Sequence, residues 1–168
     1  MNDTLRILAA NFGRMYKIDP ALLLALIMVE SSGRTFATRF EPHVSPSYLS
    51  MLSTFAQATG VSVETERMQQ ATSWGLLQVM GFTARELGHR GLLPELCQSE
   101  VGLELGCKYL KKQQAKFGKP KDGVLGWDEA VVASYNAGSP RHNPLGKWKN
   151  QGYVDKVKAA YALGAGKS

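Results

Sequence analysis

A chain of 168 residues can bury one core without metal or disulfide staples, and 44% hydrophobic with 20% charged residues excludes a disordered chain. The net charge of +6 asks for an acidic partner; however, the basic residues are scattered, with only a Lys111-Lys112 pair and a loose Lys119, Lys121 group, which disfavours nucleic acid. Two cysteines, Cys97 and Cys107, and three histidines, His43, His89 and His142, stand in no ligand spacing, so neither metal nor any other cofactor is expected.

Helical patterning runs along the whole chain. The opening segment lacks a basic start, a long apolar stretch and a small-residue cleavage site, so it does not read as a signal peptide. Leu5, Leu8, Ala9, Phe12 and Met15 recur at three- and four-residue steps, predicting an amphipathic helix. Asp19-Pro20 is a strong start signal for the next helix, Pro20 to about Ser31, with Gly33 placed to end it. Its apolar run is far below membrane-spanning length, but it is apolar on every face, which marks burial all round. Pro46 to Ala58 predicts a third helix with Tyr48, Leu49, Leu52, Phe55 and Ala56 on one face and Gly60 at its end. Thr83 and Glu86 have the spacing of a capping box before Leu87. Ser99 to Phe117 reads as a long helix with Val101, Leu105, Tyr109 and Leu110 inward. If so, Cys107 lies roughly 12 Å beyond its start at about 1.5 Å per residue. That is beyond the reach of about 7 Å that a bridge to Cys97 requires. Asp128 is placed to cap Glu129 to Asn136, with Gly138 after it, and Val154, Val157 and Tyr161 define a last helix. Nothing alternates at period two. The fold class is mostly α with little or no β-sheet, in one domain ending in a loose tail at 163–168.

Glu30 is the first chemical candidate. It follows Ile27, Leu26 and Leu23 by three, four and seven residues and so shares their face of a buried helix. Desolvation there favours the neutral acid, the form that protonates a glycosidic oxygen. A turn toward solvent, or a pair with Arg34, is the competing reading. Ser73-Trp74 then leads into Gly75-Leu76-Leu77-Gln78-Val79-Met80, which joins one polar amide to small and apolar neighbours. Ala133-Ser134-Tyr135-Asn136-Ala137-Gly138 places a phenol and an amide near a helix end, where either can bond a sugar or serve the core.

Taken in order, Glu30-Ser31, Gly75 to Met80, Tyr135 to Gly138 and Tyr153-Val154 resemble the family 1, soluble-lytic-transglycosylase-like catalytic domains. Glu100 to Leu110 resembles the family's helix before the Tyr-Asn-Ala-Gly motif, and the likeness covers about residues 15 to 162. It implies a lysozyme-like fold with a groove for alternating N-acetylglucosamine and N-acetylmuramic acid. It also implies that Glu30 first protonates the leaving oxygen, then acts as base toward the C6 hydroxyl of the same muramyl residue. The product is a 1,6-anhydromuramyl end, formed without water. Ser31, Ser73, Gln78, Met80, Tyr135, Asn136 and Tyr153 are expected at the substrate. The chain departs from the pattern in three places. A long insertion, about Phe40 to Thr72, opens on Arg39-Phe40-Glu41-Pro42-His43, similar to phage-type members, and is expected as a lobe beside the groove. Gly81 stands where proline usually follows the Gln-x-Met run, and Lys149 stands where a glutamate often precedes the Tyr-Val pair.

A two-carboxylate muramidase is the competing enzyme. Glu41, Glu64, Glu66 and Asp128 are the acids available to it, Glu41 foremost, although a structural pair with Arg39 or Arg34 suits Glu41 better. A non-catalytic wall-binding virion module would not need Glu30. The expected partner is peptidoglycan glycan, bound by a monomer that inserts in no membrane and binds no nucleic acid. Its expected place of action is the periplasm or cell wall, reached by phage-encoded release or virion-associated delivery.

Overall fold

The computed structural model describes residues 3–118 and 123–165, so Lys119 and Lys121 and the last three residues of the predicted tail lie outside the described residues. Eight α-helices are present among the described residues: α1 (Asp3–Tyr16), α2 (Pro20–Ser31), α3 (Leu52–Thr59), α4 (Val63–Gln70), α5 (Gly81–Glu86), α6 (Ser99–Phe117), α7 (Glu129–Ala137) and α8 (Gln151–Ala165). Three short strands, β1 (Thr38–Phe40), β2 (Thr72–Trp74) and β3 (Val79–Met80), form one antiparallel sheet in that order. The chain divides into two compact units, residues 1–33 with 107–168, and residues 34–106; the division falls within α6.

In the first unit α2 is the central element. Asp19 caps it, its carboxylate accepting from the Ala21 amide at 2.8 Å, and Pro20 follows at the first helical position. Leu22, Leu23, Ala25, Leu26 and Ile27 are all buried, each large one removing about 1.5–3 kcal/mol worth of apolar surface from water. α8 packs along α2 with Val154 and Val157 buried, and Tyr161 near its end donates from its hydroxyl to Asp19 Oδ2 at 2.7 Å. Asp19 thus fixes both the start of α2 and its pairing with α8. The helix ends at Ser31, where the sequence places its end: Ser32 caps it in the left-handed conformation, φ 55°, and Gly33 follows in the same region, its amide donating to Ile27 O. On α1 the inward face is Leu5, Ala9 and Gly13, while Met15, expected inward, is 70% exposed. α7 is capped as its sequence predicts, Asp128 Oδ1 accepting from the amides of Ala130 and Val131, and Gly138 closes it. Residues 163–165, expected in the tail, belong to α8.

In the second unit the insertion leaves and returns side by side. Phe40 on β1 pairs with Thr72 on β2, and the Glu41 amide donates to Ala71 O at 2.9 Å. The single helix expected over Pro46–Ala58 is broken. A 3₁₀ turn spans Pro46–Tyr48, Met51 enters the left-handed region at φ 49°, and α3 begins only at Leu52. Tyr48 is therefore exposed, its ring 5.3 Å from that of Phe82, rather than on the buried face with Phe55 and Ala56. A second helix of the insertion, α4, was not expected. Thr83 forms no capping box: α5 starts two residues earlier, with Met80 as its N-cap, and Thr83 is buried inside it.

Within this unit lies a fully buried ion pair. Arg85 on α5 donates from Nε and Nη2 to the two carboxylate oxygens of Glu66 on α4, at 2.8 and 2.9 Å, and neither side chain has any exposure. Its Nη1 donates to the carbonyls of His89 and Gly91, and the guanidinium lies 4.4 Å over the Phe55 ring. Gln70 donates to Glu66 and to the Ser50 carbonyl, and accepts from the Ser50 amide. Two charges buried together stay ionised only where their remaining lone pairs and protons are met, and here most are.

Gly81 has a direct physical reason. A β-carbon there would stand 2.2 Å from Gln69 O and 2.8 Å from Gln70 Cα, so no side chain fits where α4 ends against α5. Cys97 and Cys107 are both free and buried, and burial pushes the Cys107 thiol up to about 12.

Candidate active site

Glu30 sits in the last turn of α2, half-buried, with the apolar face of that helix behind it. The Tyr153 hydroxyl, from the first turn of α8, donates to Glu30 Oε1 at 2.5 Å. The packing of α8 on α2 delivers this contact across more than a hundred residues of sequence. Burial first, then the Glu30 charge and this hydrogen bond, hold the Tyr153 phenol well above its usual range. The proton therefore stays on the tyrosine, which acts as a fixed donor to the carboxylate.

Tyr135 on α7 belongs to the same cluster. It is buried, its ring lies 5.1 Å from that of Tyr109, and burial followed by the Glu30 charge raises its phenol well above the ordinary value. Asn136 is exposed, and its Oδ1 accepts from the Asn150 side chain at 3.0 Å; Asn150 also donates to Ala133 O. Asn150 ties the end of α7 to the start of α8. The sequence reading missed it, and its position three residues before Tyr153 was the available signal. Ser31, expected at the substrate, is 2% exposed and donates to Ile27 O at 3.0 Å, a bond within its own helix.

The second unit holds the Gly-Leu-Leu-Gln turn between β2 and β3. A β-carbon on Gly75 would meet Leu96 O at 2.2 Å, and its φ is +71°, so both space and backbone demand glycine. Gln78 also has a positive φ, 47°, a conformation that costs a non-glycine residue of order 1–3 kcal/mol. Its side chain holds the turn in place. Nε2 donates to Ala37 O and Gly75 O, at 2.9 and 3.0 Å, and Oε1 accepts from the Ser73 hydroxyl at 2.9 Å. Ser73 is buried, and Met80 is half-buried on β3. The amide expected to face a sugar spends both of its protons on backbone.

The other acids considered from sequence are engaged. The Arg39 guanidinium donates to Glu41, Arg67 to Glu64, and Arg85 to Glu66, while Asp128 caps α7. Among the described residues no group of three His, Cys, Asp or Glu stands close enough to hold a metal ion. No described helix is long and apolar enough to cross a membrane.

Tyr153→Phe deletes only the donor to Glu30. Turnover should fall about tenfold or more, the scale of one hydrogen bond to a charged group, with the melting transition little changed. Unaltered turnover in a folded protein would remove Tyr153 from the site. The raised phenols give a second expectation. A group whose folded pKa exceeds its unfolded value stabilises below the unfolded pKa, here 10, and that contribution is lost as pH rises through the folded value. Tyr135 and Tyr153 should therefore ionise only together with unfolding at alkaline pH. Tyrosinate absorbance followed beside helical circular dichroism checks this; six phenols titrating before any helix is lost contradicts it.

In a comparison with protein families, the chain matches the Transglycosylase SLT domain over residues 8–161. Comparisons with curated proteins and with solved structures return no match.

Proposed function

Because the chain belongs to the SLT transglycosylase family, whose members are lytic transglycosylases of peptidoglycan with a mostly helical, lysozyme-like fold, we propose that Glu30 is its one catalytic acid and base and that the products carry 1,6-anhydromuramyl ends. The observation that carries this reading is the Tyr153–Glu30 hydrogen bond at the end of the apolar helix α2, whose Leu22, Leu23, Leu26 and Ile27 are fully buried. It fixes one oxygen of a carboxyl group that must reach a glycosidic oxygen in a set orientation.

In this scheme the Glu30 carboxyl gives its proton to the oxygen between N-acetylmuramic acid and N-acetylglucosamine as the C1–O bond breaks. The carboxylate then takes the proton of the C6 hydroxyl on the same muramyl residue, and O6 closes on C1. Protons balance, and no water is consumed. A hydrolase needs a second group to activate water or to form a covalent intermediate. The engagement of Glu41, Glu64, Glu66 and Asp128 favours the one-carboxylate scheme. Tyr135 and Asn136 shape the surroundings of the acid, whereas Gln78 and Ser73 act by holding the Gly75–Gln78 turn.

The test is mass spectrometry of muropeptides released from purified sacculi by the wild-type protein. Anhydro ends are expected. Reducing ends alone would overturn the transglycosylase scheme in favour of a muramidase.

A further inference from the structure

Between α7 and α8 the chain makes a hairpin, Ser139 to Lys149, that the catalytic scheme leaves unused. Its backbone is paired at two levels, Asn143 N to Lys147 O at 2.7 Å and Lys149 N to Arg141 O at 2.8 Å. The Asn143 side chain closes the turn by accepting from the amides of Leu145 and Lys147. The His142 and Trp148 rings stack at 4.0 Å, and the Trp148 indole N–H reaches Glu129 Oε2 on α7 at 3.3 Å. Asn150, the next residue, is the one that bonds Asn136 and Ala133. The hairpin is thus solvent-exposed yet pinned at its turn, its middle and its base.

Its charge is one-sided. Arg141, Lys147 and Lys149 are all exposed, His142 is exposed beside them, and the segment contains no Asp or Glu. Among the described residues, the acid that bonds to it, Glu129, is shared between Trp148 and Lys158. Neither hairpin lysine has a carboxylate partner among the described residues. A held array of unpaired cations loses little freedom on binding an anion, which separates it from a merely solvated loop.

We propose that this hairpin binds the carboxylates of the peptide stems carried by the muramyl residues. The proposal rests on the peptidoglycan reading above and adds to it a recognition element. The sugar backbone of peptidoglycan offers no charge of its own. Its anionic groups are on the stems, which branch from the muramyl unit whose C1–O bond is cut. The hairpin leaves from the end of α7, just after Tyr135 and Asn136, and re-enters α8 four residues before Tyr153, the residue bonded to Glu30. A stem attached to the muramyl residue at Glu30 therefore has this cationic element within the same unit.

The experiment compares wild type with the triple variant Arg141→Gln, Lys147→Gln, Lys149→Gln on two substrates: sacculi with intact stems, and glycan strands stripped of stems by an amidase and then capped as neutral amides at the lactyl carboxylates this exposes. Pelleting measures binding and muropeptide release measures cleavage. On stem-bearing sacculi the variant should bind about tenfold more weakly at low salt and lose most of the wild type's salt dependence. On stripped glycan the two proteins should bind and cut alike. Equal behaviour of the two proteins on stem-bearing sacculi overturns the proposal. So does an equal loss on both substrates, which would place the hairpin at the sugar. Duplex DNA or teichoic acid competing as well as stem-bearing fragments would also overturn it, in favour of a general polyanion surface. If wild type cuts neither substrate, the catalytic reading fails, while pelleting still decides the hairpin.

Discussion

Glu30→Gln should fold like the wild type, still bind sacculi, and clear them at least about 100-fold more slowly, the scale of a lost general acid. Glutamine keeps the size and hydrogen-bonding reach of the side chain, and it can still accept from the Tyr153 hydroxyl that meets Glu30 Oε1. What it cannot do is give a proton to the glycosidic oxygen or take one from the C6 hydroxyl. A single group is asked to serve both steps, so no second residue should restore part of the rate. Turnover on sacculi and the thermal transition, measured together, check this. Near-normal clearance with an unchanged transition would show that Glu30 is not the acid.

Arg85→Ala should be the most damaging change to the fold, at about 3–5 kcal/mol, because it leaves the Glu66 carboxyl group buried without the partner that meets both of its oxygens. Against a total of about 5–15 kcal/mol for a typical domain, that is enough to unfold much of the population at growth temperature. The informative comparison is the paired change Glu66→Leu with Arg85→Met. It removes both charges, keeps volume, and should be far milder than either truncation alone. Denaturant melts of the three proteins decide it. If Arg85→Ala costs less than about 1 kcal/mol, the ion pair is not what holds α4 to α5.

Local signals carried much of the helical frame. Asp19-Pro20 and Asp128 act through their own neighbours, two and three residues away, so the starts of α2 and α7 could be read from the chain. α6 spans the predicted Ser99–Phe117. The failures have a common cause: the deciding partner is distant in sequence. α4 is so polar that it carries no apolar stripe, and it is held by the Glu66–Arg85 pair instead. Glu66 looked like an available acid because its partner lies 19 residues on. At Glu30, Tyr153 was expected among the groups at the substrate, not as a partner of the acid itself. Tyr153 makes the resolved hydrogen bond because α8 packs on α2, a pairing no local pattern encodes. Gln78 was expected at the substrate; its positive φ, and the two carbonyls that use its protons, are not visible in composition or spacing.

The paired ends of the insertion suggest a splice: Phe40 and Thr72 lie directly opposite one another, close enough for a short turn to bridge them. The backbone would permit that shortened protein; the side chains would not. Excising the segment would remove Glu66 and Gln70 and leave Arg85 on the retained helix as an unmatched buried cation. It would also strip Gln69 from Gly81, exposing a site already trimmed to a bare backbone to receive it. Any viable miniature of this enzyme must therefore rewrite positions 81 and 85 in the same step. The insertion is an appendage by topology but an integral part of the core by chemistry.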